Sequence, residues 1–350
     1  MSLAGHFLAE VLFTNSIQQE NNVKHLFRFL LVACLIANVA SPTMAASPAD
    51  TFPSGPINLV VAFSAGAATD VQARFTAMVA HDKQYFGQPI VVLNKPGAGG
   101  STGWNWIIDR GTRDGLTMTA YNLPHILAQS MVSNTKFSAE SFEPLGNYAR
   151  DPCALVVSNA SPFHSLNDIV EFAKKNPKKF TSNGAGLYIG HHICSLQFAK
   201  SAGIEITYIP EKSGTDGMQS VLAGKVMATF TNSADAYRMR DNFRVLAVAD
   251  LERQPFLPDV PTFQELGFKE VDNTSVVYRG YALPTGTDPA IVEKAAEISY
   301  RMFQDPRVIE KFEQTGSVRA LMNREEAKEL WKKLDSNLRV ILADYIVEKK

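Results

Sequence analysis

The sequence predicts an α/β protein, built on a mostly parallel sheet with helices on both faces. Three observations carry that expectation. Short apolar runs alternate with amphipathic stretches over most of the chain. Two strand-to-glycine-to-helix junctions, at 60–70 and 90–103, follow one another closely. The C-terminal end then reads as helix after helix.

The strand-like runs fall at 57–63, 90–93, 116–120, 154–157, 207–209, 227–230 and 245–249. Between several of them lie segments with apolar residues at helical spacing, at 71–86, 166–175 and 192–202. Near the end, Asp288-Pro289 is an N-cap with proline in the first turn, and Ile291, Ala295, Ile298 and Met302 then share a face. Asp305-Pro306 opens a short helix that Gly316 ends. Asn323 and Glu326 have capping-box spacing ahead of the stripe Ala327, Leu330, Leu334, Leu338 and Ile341. No internal repeat interrupts this order.

The first 45 residues are read as a signal peptide with an upstream extension. Lys24 and Arg28 precede an uncharged run at 29–40, and Ser41 to Ala45 offers a small-x-small cleavage site at Ala45. Residues 1–22 precede this pattern, which places a second possible start near Val23. The run is too short to cross a bilayer. A rival lipoprotein reading uses Leu31-Val32-Ala33-Cys34, but the stretch after Cys34 is still apolar, and soluble export to the periplasm is the expectation. Lys and Arg total 34 against 35 Asp and Glu, with no basic tract, so nucleic acid is excluded as an expected partner. Of the cysteines, Cys153 and Cys194 lie beyond the signal peptide, and buried free thiols are expected of them, although an oxidising compartment would let them pair.

Asn94 to Gly103 reads NKPGAGGSTG. Counted from Gly97, the dinucleotide fingerprint needs glycine where Thr102 stands, and a phosphate loop needs a lysine that does not come until Lys136. These glycines therefore serve a tight turn. The 63–70 loop is more suggestive: small residues, hydroxyls at Ser64 and Thr69, and Asp70 just inside a helix expose backbone N–H groups to an anion. A third loop of this style runs from Thr181 to His192. His191 and Cys194 are three apart, as metal ligands or a thiol with its base would be, but no second cluster completes a metal site. No paired His-Glu motif is present, and no cofactor is expected.

Further landmarks are Phe52-Pro53-Ser54-Gly55-Pro56-Ile57, Arg113-Asp114-Gly115, Leu222-Ala223-Gly224-Lys225-Val226, Leu257-Pro258-Asp259-Val260-Pro261-Thr262 and Pro284-Thr285-Gly286-Thr287. Together with the 61–74 loop and helix and the 94–100 turn, their order and spacing resemble the extracytoplasmic solute receptors of tripartite tricarboxylate transporters, the Bug-type binding proteins. The resemblance runs from Phe52 to about Tyr345. It implies a type II periplasmic binding-protein fold, with lobe 1 at 53–148 plus 272–350 and lobe 2 at 149–271. A small carboxylate is held between the lobes without chemistry being done on it. The implied ligand residues are Phe63, Ser64, Ala65, Gly66, Ala67, Thr69 and Asp70 from the first loop. Tyr121 and Asn122 follow, then Ser182, Gly184, Ala185, Gly186, Leu187, Tyr188 and His192, and finally Asn232, Ser233 and Asp235.

The chain departs from the family pattern on the ligand loops. Prolines usual near Ser64 and Ala65 are missing, and Gly66-Ala67 replaces two adjacent glycines. Leu187-Tyr188 lengthens the third loop, so that His192 matches the family histidine and His191 is an insertion; Pro210-Glu211-Lys212 replaces Pro-Tyr-Lys. Leu187 and Tyr188 would either make the cleft more apolar, favouring a larger carboxylate, or pack on the lobe surface. The resemblance implies a monomeric receptor that hands its ligand to membrane transporter subunits. The alternatives are a sensory receptor presenting ligand to a membrane kinase, and an exported hydrolase using Cys194 or a His-Cys metal site.

Overall fold

The computed structural model of the chain describes residues 47–346. The signal-peptide reading, with its cleavage site at Ala45 and the rival Cys34, lies outside the described residues. In chain order come β1 (Ile57–Val61), α1 (Ala68–Ala77), β2 (Ile90–Asn94), α2 (Ser101–Arg110), β3 (Thr117–Leu123), α3 (His125–Val132) and β4 (Phe142–Asp151). Next are β5 (Cys153–Ser158), α4 (Leu166–Lys175), β6 (Thr181–Gly184), α5 (Gly190–Ala202), β7 (Thr207–Pro210) and α6 (Gly214–Leu222). After them come β8 (Ala228–Asn232), α7 (Ser233–Arg238) and β9 (Phe243–Ala249). The chain then returns through β10 (Val277–Pro284), α8 (Pro289–Met302), α9 (Pro306–Gln314), β11 (Val318–Met322) and α10 (Arg324–Ile341).

Among the described residues the strands form two sheets, in the orders β11-β4-β10-β3-β1-β2 and β7-β6-β8-β5-β9. Each contains a parallel trio, β2-β1-β3 and β7-β6-β8. Beside each trio the chain pairs antiparallel, through β10 and β4 in the first sheet and β5 and β9 in the second. The mostly parallel sheet expected from the sequence therefore holds for the trios alone. Crossing strands enter each sheet from the other lobe, without the helical crossover a parallel neighbour needs.

The expected helix at 71–86 is shorter: α1 stops at Ala77, and turns closed by Asp82 carry the chain to Gly87. The polar stretch His81 to Gln84 has no apolar face to bury, so the pattern stops there. The C-terminal caps occur as read, with Asp288, Asp305 and Asn323 accepting backbone N–H groups at their helix starts.

Every residue of β3 is buried, and Trp331, Leu334 and Leu338 of α10 join Leu59, Val61 and Met118 in the first core. The second core gathers Phe163, Phe180, Phe198, Phe230 and Phe263. Burying each such side chain contributes roughly 1.5–3 kcal/mol before entropy is counted. Cys153 and Cys194 are free and buried in this second core. Between the sheets the chain crosses at Asp151-Pro152-Cys153 and returns after Ala249. Arg150 on one crossing pairs with Asp250 on the other, which ties the junction together.

Candidate functional site

The carboxyl ends of β1 and β6 deliver the two ligand-loop candidates to the seam between the lobes. In the first, the Phe63 ring is buried edge-on to Trp104 at 6.3 Å and to His125 at 5.7 Å. Ser64 is half-buried, and Ala65 and Gly66 are exposed. The backbone turns at Gly66 with φ +82°, a conformation glycine adopts without strain, and α1 starts after Ala67 with no side-chain cap there. Asp70 Oδ2 accepts the Gly66 N–H at 2.9 Å, and Asn94 Nδ2 donates to Oδ1 at 2.9 Å. Arg74 Nε donates to both oxygens at 3.0 Å. Burial raises the Asp70 pKa, but these hydrogen bonds outweigh it and hold the carboxyl below its ordinary value. The expectation that Asp70 faces ligand is corrected: its oxygens are occupied in shaping its own loop.

Tyr121 is a second correction. Along a strand, successive side chains take opposite faces. Tyr121 turns into the first core, where its hydroxyl donates toward Gly146 O and Asn147 Oδ1, both at 3.1 Å, and its ring meets Trp331 at 5.2 Å. Its neighbour Asn122 stands beside Thr69, with Nδ2 2.8 Å from Thr69 Oγ1. Arg279, opposite Asn122 in register on β10, donates to Thr69 Oγ1 (3.1 Å), Gln72 Oε1 (3.2 Å) and Asp151 Oδ2 (3.0 Å). Asp151 Oδ1 takes the Ser233 hydroxyl at 2.8 Å and the Ala234 N–H at 3.0 Å, so this buried pair bridges both sheets.

In the second loop His191, and not His192, enters the seam. His191 is buried; its Nδ1 accepts the Ala185 N–H at 3.1 Å, and its Nε2 lies 3.2 Å from Asn232 Oδ1. His192 is half-buried, accepts the Tyr188 N–H at Nδ1 (3.0 Å) and packs against Tyr208 at 4.5 Å. The reason is helical phase: His191, Cys194 and Phe198 share the buried face of α5, and His192 falls beside it. Tyr188 is corrected likewise, since its ring packs on His192 and Tyr345, each at 5.2 Å. Leu187 is exposed at the mouth. Asn232 Nδ2 donates to Asp235 Oδ2 at 3.2 Å, and Asp235 also pairs with Arg238. Burial lifts the Asp235 carboxyl above its ordinary value, against the pull of Arg238.

The lobes are shut on one another. A Cβ on Gly186 would lie 2.8 Å from Gly99 Cα, and Gln129 donates to Leu187 O. Ser64 Oγ reaches Asp216 Oδ2 at 3.4 Å, and the His125 and His191 rings stand 6.4 Å apart. At the mouth, Ala98, Gly99, Gln129, Gly186, Leu187 and Lys212 line a cavity of about 500 Å³. A larger depression of about 610 Å³ on the second lobe shares no residue with either loop. Several buried polar atoms have no hydrogen-bond partner among the described residues: Asn122 Oδ1, His125 Nδ1, Ser182 Oγ and Thr231 Oγ1. Burial, with Arg279 adding to it, lowers His191 to about 4, and burial first and then His191 and Arg279 keep His125 well below the imidazole range. Both are neutral at neutral pH. The nearby cations Arg74, Arg238 and Arg279 each already have an aspartate. Deep in the seam a bound anion would thus meet hydrogen-bond donors and helix N-termini, with the Lys212 charge at the mouth.

Sequence reasoning missed His125, Asp151, His191, Asp216 and Arg279. Arg279 had a signal, a lone charge inside the apolar run 276–283. His191 had one in the i, i+3, i+7 burial pattern it shares with Cys194 and Phe198. The model of the tripartite tricarboxylate transporter family receptor matches residues 73–341. The "UPF0065 protein in gbd 5' region" of Cupriavidus necator is 32% identical over 279 residues, 76% of this chain and 81% of the relative. The structure of the periplasmic binding protein BugD superposes with a TM-score of 0.77 at 27% identity, over 85% of this chain and 100% of that one. MatC from Rhodopseudomonas palustris, solved with bound malate, gives a TM-score of 0.76 at 22% identity, over 83% and 100%.

Proposed function

Because this chain belongs to the tripartite tricarboxylate transporter receptor family, we propose that it is an exported solute-binding protein that captures a small carboxylate between its lobes. The observation that carries this reading is the meeting, across a shut seam, of two loops from the carboxyl ends of parallel strands. Donor groups and helix starts converge there, while Arg74, Arg238 and Arg279 are already paired and Lys212 stands at the mouth. The malate held by MatC fits the same chemistry. The reading includes lobes at 53–148 plus 272–350 and 149–271, export with cleavage near Ala45, and delivery to membrane transporter subunits.

Binding, not catalysis, is proposed. The thiol of Cys194 on which a hydrolase would depend lies in the second core, away from solvent. Ligand stabilises the closed state because only that state lets it touch both lobes. From the first loop the reading keeps Ser64, Gly66 and Thr69, and from elsewhere Asn122, Ser182, Gly184, Ala185, Asn232 and Ser233, with His191 in place of His192. The test is a thermal-shift screen of mono- and dicarboxylates beside neutral sugars. An acid at a hundred times its Kd raises stability by about 2.7 kcal/mol. A screen in which sugars stabilise the protein and acids do not would reject the reading.

A further inference from the structure

Thr69 Oγ1 has two nitrogen neighbours, Asn122 Nδ2 at 2.8 Å and Arg279 Nε at 3.1 Å. A guanidinium only donates, so the direction of the Arg279 contact is fixed. If Asn122 also donates, the hydroxyl accepts twice and its own proton has no acceptor in this trio. Asn122 Oδ1 is then a buried acceptor with no donor. The oxygen and nitrogen of an amide are assigned from their hydrogen bonds. Turning the Asn122 amide by half a turn gives the Thr69 proton an acceptor at Oδ1 and leaves the NH2 group at the unpartnered position, where its donors await a bound acceptor.

The geometry points to Asn122 as a side chain that presents N–H donors to the ligand's carboxylate, with Arg279 as the positioning residue that enforces this orientation through Thr69. The inference rests on the carboxylate-receptor reading above. Arg279 can hold Thr69 because it is itself held, by Gln72 Oε1 and Asp151 Oδ2. Asn122 lies at the carboxyl end of β3, with the first turn of α1 beside it at Thr69. An acceptor group placed there meets the amide donors and the positive end of a helix together. With the neighbouring cations already paired, donor direction is what separates an acid from its amide.

The test is calorimetric titration of the mature protein with benzoate against benzamide and succinate against succinamate. Wild-type protein is expected to prefer the acid of a pair. Asn122→Asp places a carboxylate against a carboxylate and is expected to weaken acid binding by about a hundredfold or more, with the amide changed by less than about threefold. Thr69→Val, nearly isosteric, releases the amide and is expected to shrink the acid-over-amide preference about tenfold; it carries the test if Asn122→Asp does not fold. Equal losses for acid and amide in these variants would mean that Asn122 only supports the fold, and would overturn the inference alone. A wild-type protein that binds none of these acids would overturn the carboxylate reading and this inference with it.

Discussion

Asp70 shows how a residue suited to a ligand can be taken up by its own loop. Its oxygens hold Gly66, Asn94 and Arg74, so the loop keeps its shape because this carboxylate is ionised. Its pKa is lowered, so its contribution is complete above the ordinary value of 3.8 and is lost as pH falls through the lowered one. Asp70→Ala is expected to destabilise the protein by about 1–3 kcal/mol and to weaken ligand binding through a looser loop. Chemical denaturation and titration of that variant would disprove this if neither changed. Arg279 and Asp151 form the opposite kind of pair, both almost fully buried. Arg279→Met strands a charge and is expected to cost about 3–5 kcal/mol, with Asp151→Asn added to it recovering a large part. Additive losses in that double-mutant cycle would mean the two residues act independently.

At the scale of elements, the glycine turns are where the lobes meet. Gly99 in the 94–103 turn lies so close to Gly186 in the second loop that a Cβ on Gly186 would come within 2.8 Å of the Gly99 Cα, one on Gly99 would meet Gln129 Nε2 at 2.7 Å, and Gly186 has φ +116°. Gly186→Ala is expected to leave both cores folded, to weaken binding at least about tenfold, and to suppress closure. Small-angle scattering with and without ligand checks this: a variant that compacts as the wild type does would acquit the glycine contact. From sequence, Asn94 to Gly103 is legible as a turn, because glycine spacing reports backbone shape; its contact with the far lobe is not, since nothing local encodes it. Of the trios, β1, β2, β3, β7 and β8 are legible as short runs rich in apolar and β-branched residues, whereas β6, Thr-Ser-Asn-Gly, has no apolar run to show it. By contrast β4 and β10 are hidden by Gly146, Arg150, Arg279 and Gly280, residues placed there for the crossing and its buried ion pair. The same limit explains His191 and His192: motif matching aligned the second, whereas helical phase puts the first in the seam.

For the whole molecule, the shut seam is sensitive to protons. His191 is lowered to about 4 by burial in the closed protein. Opening or unfolding returns it toward about 6.5. The open chain therefore takes up a proton that the closed chain refuses, so this stability is complete above about pH 6.5 and is lost as pH falls toward the folded value. Asp235 acts oppositely, since burial raises its pKa above 3.8 and protonation favours the folded form near the acid end of that range. Melting temperature is expected to drop between pH 7 and pH 5, and His191→Gln to flatten the slope; an unchanged slope would remove His191 from this account. The central claim is that the closed lobes hold one small carboxylate. Native mass spectrometry of the purified protein, before and after dialysis into a mixture of mono- and dicarboxylic acids, tests it most directly. The account predicts a single adduct per chain whose mass is that of an acid and which is lost on gentle activation. A protein that takes up none of these acids, yet retains a neutral or cationic solute, would contradict it.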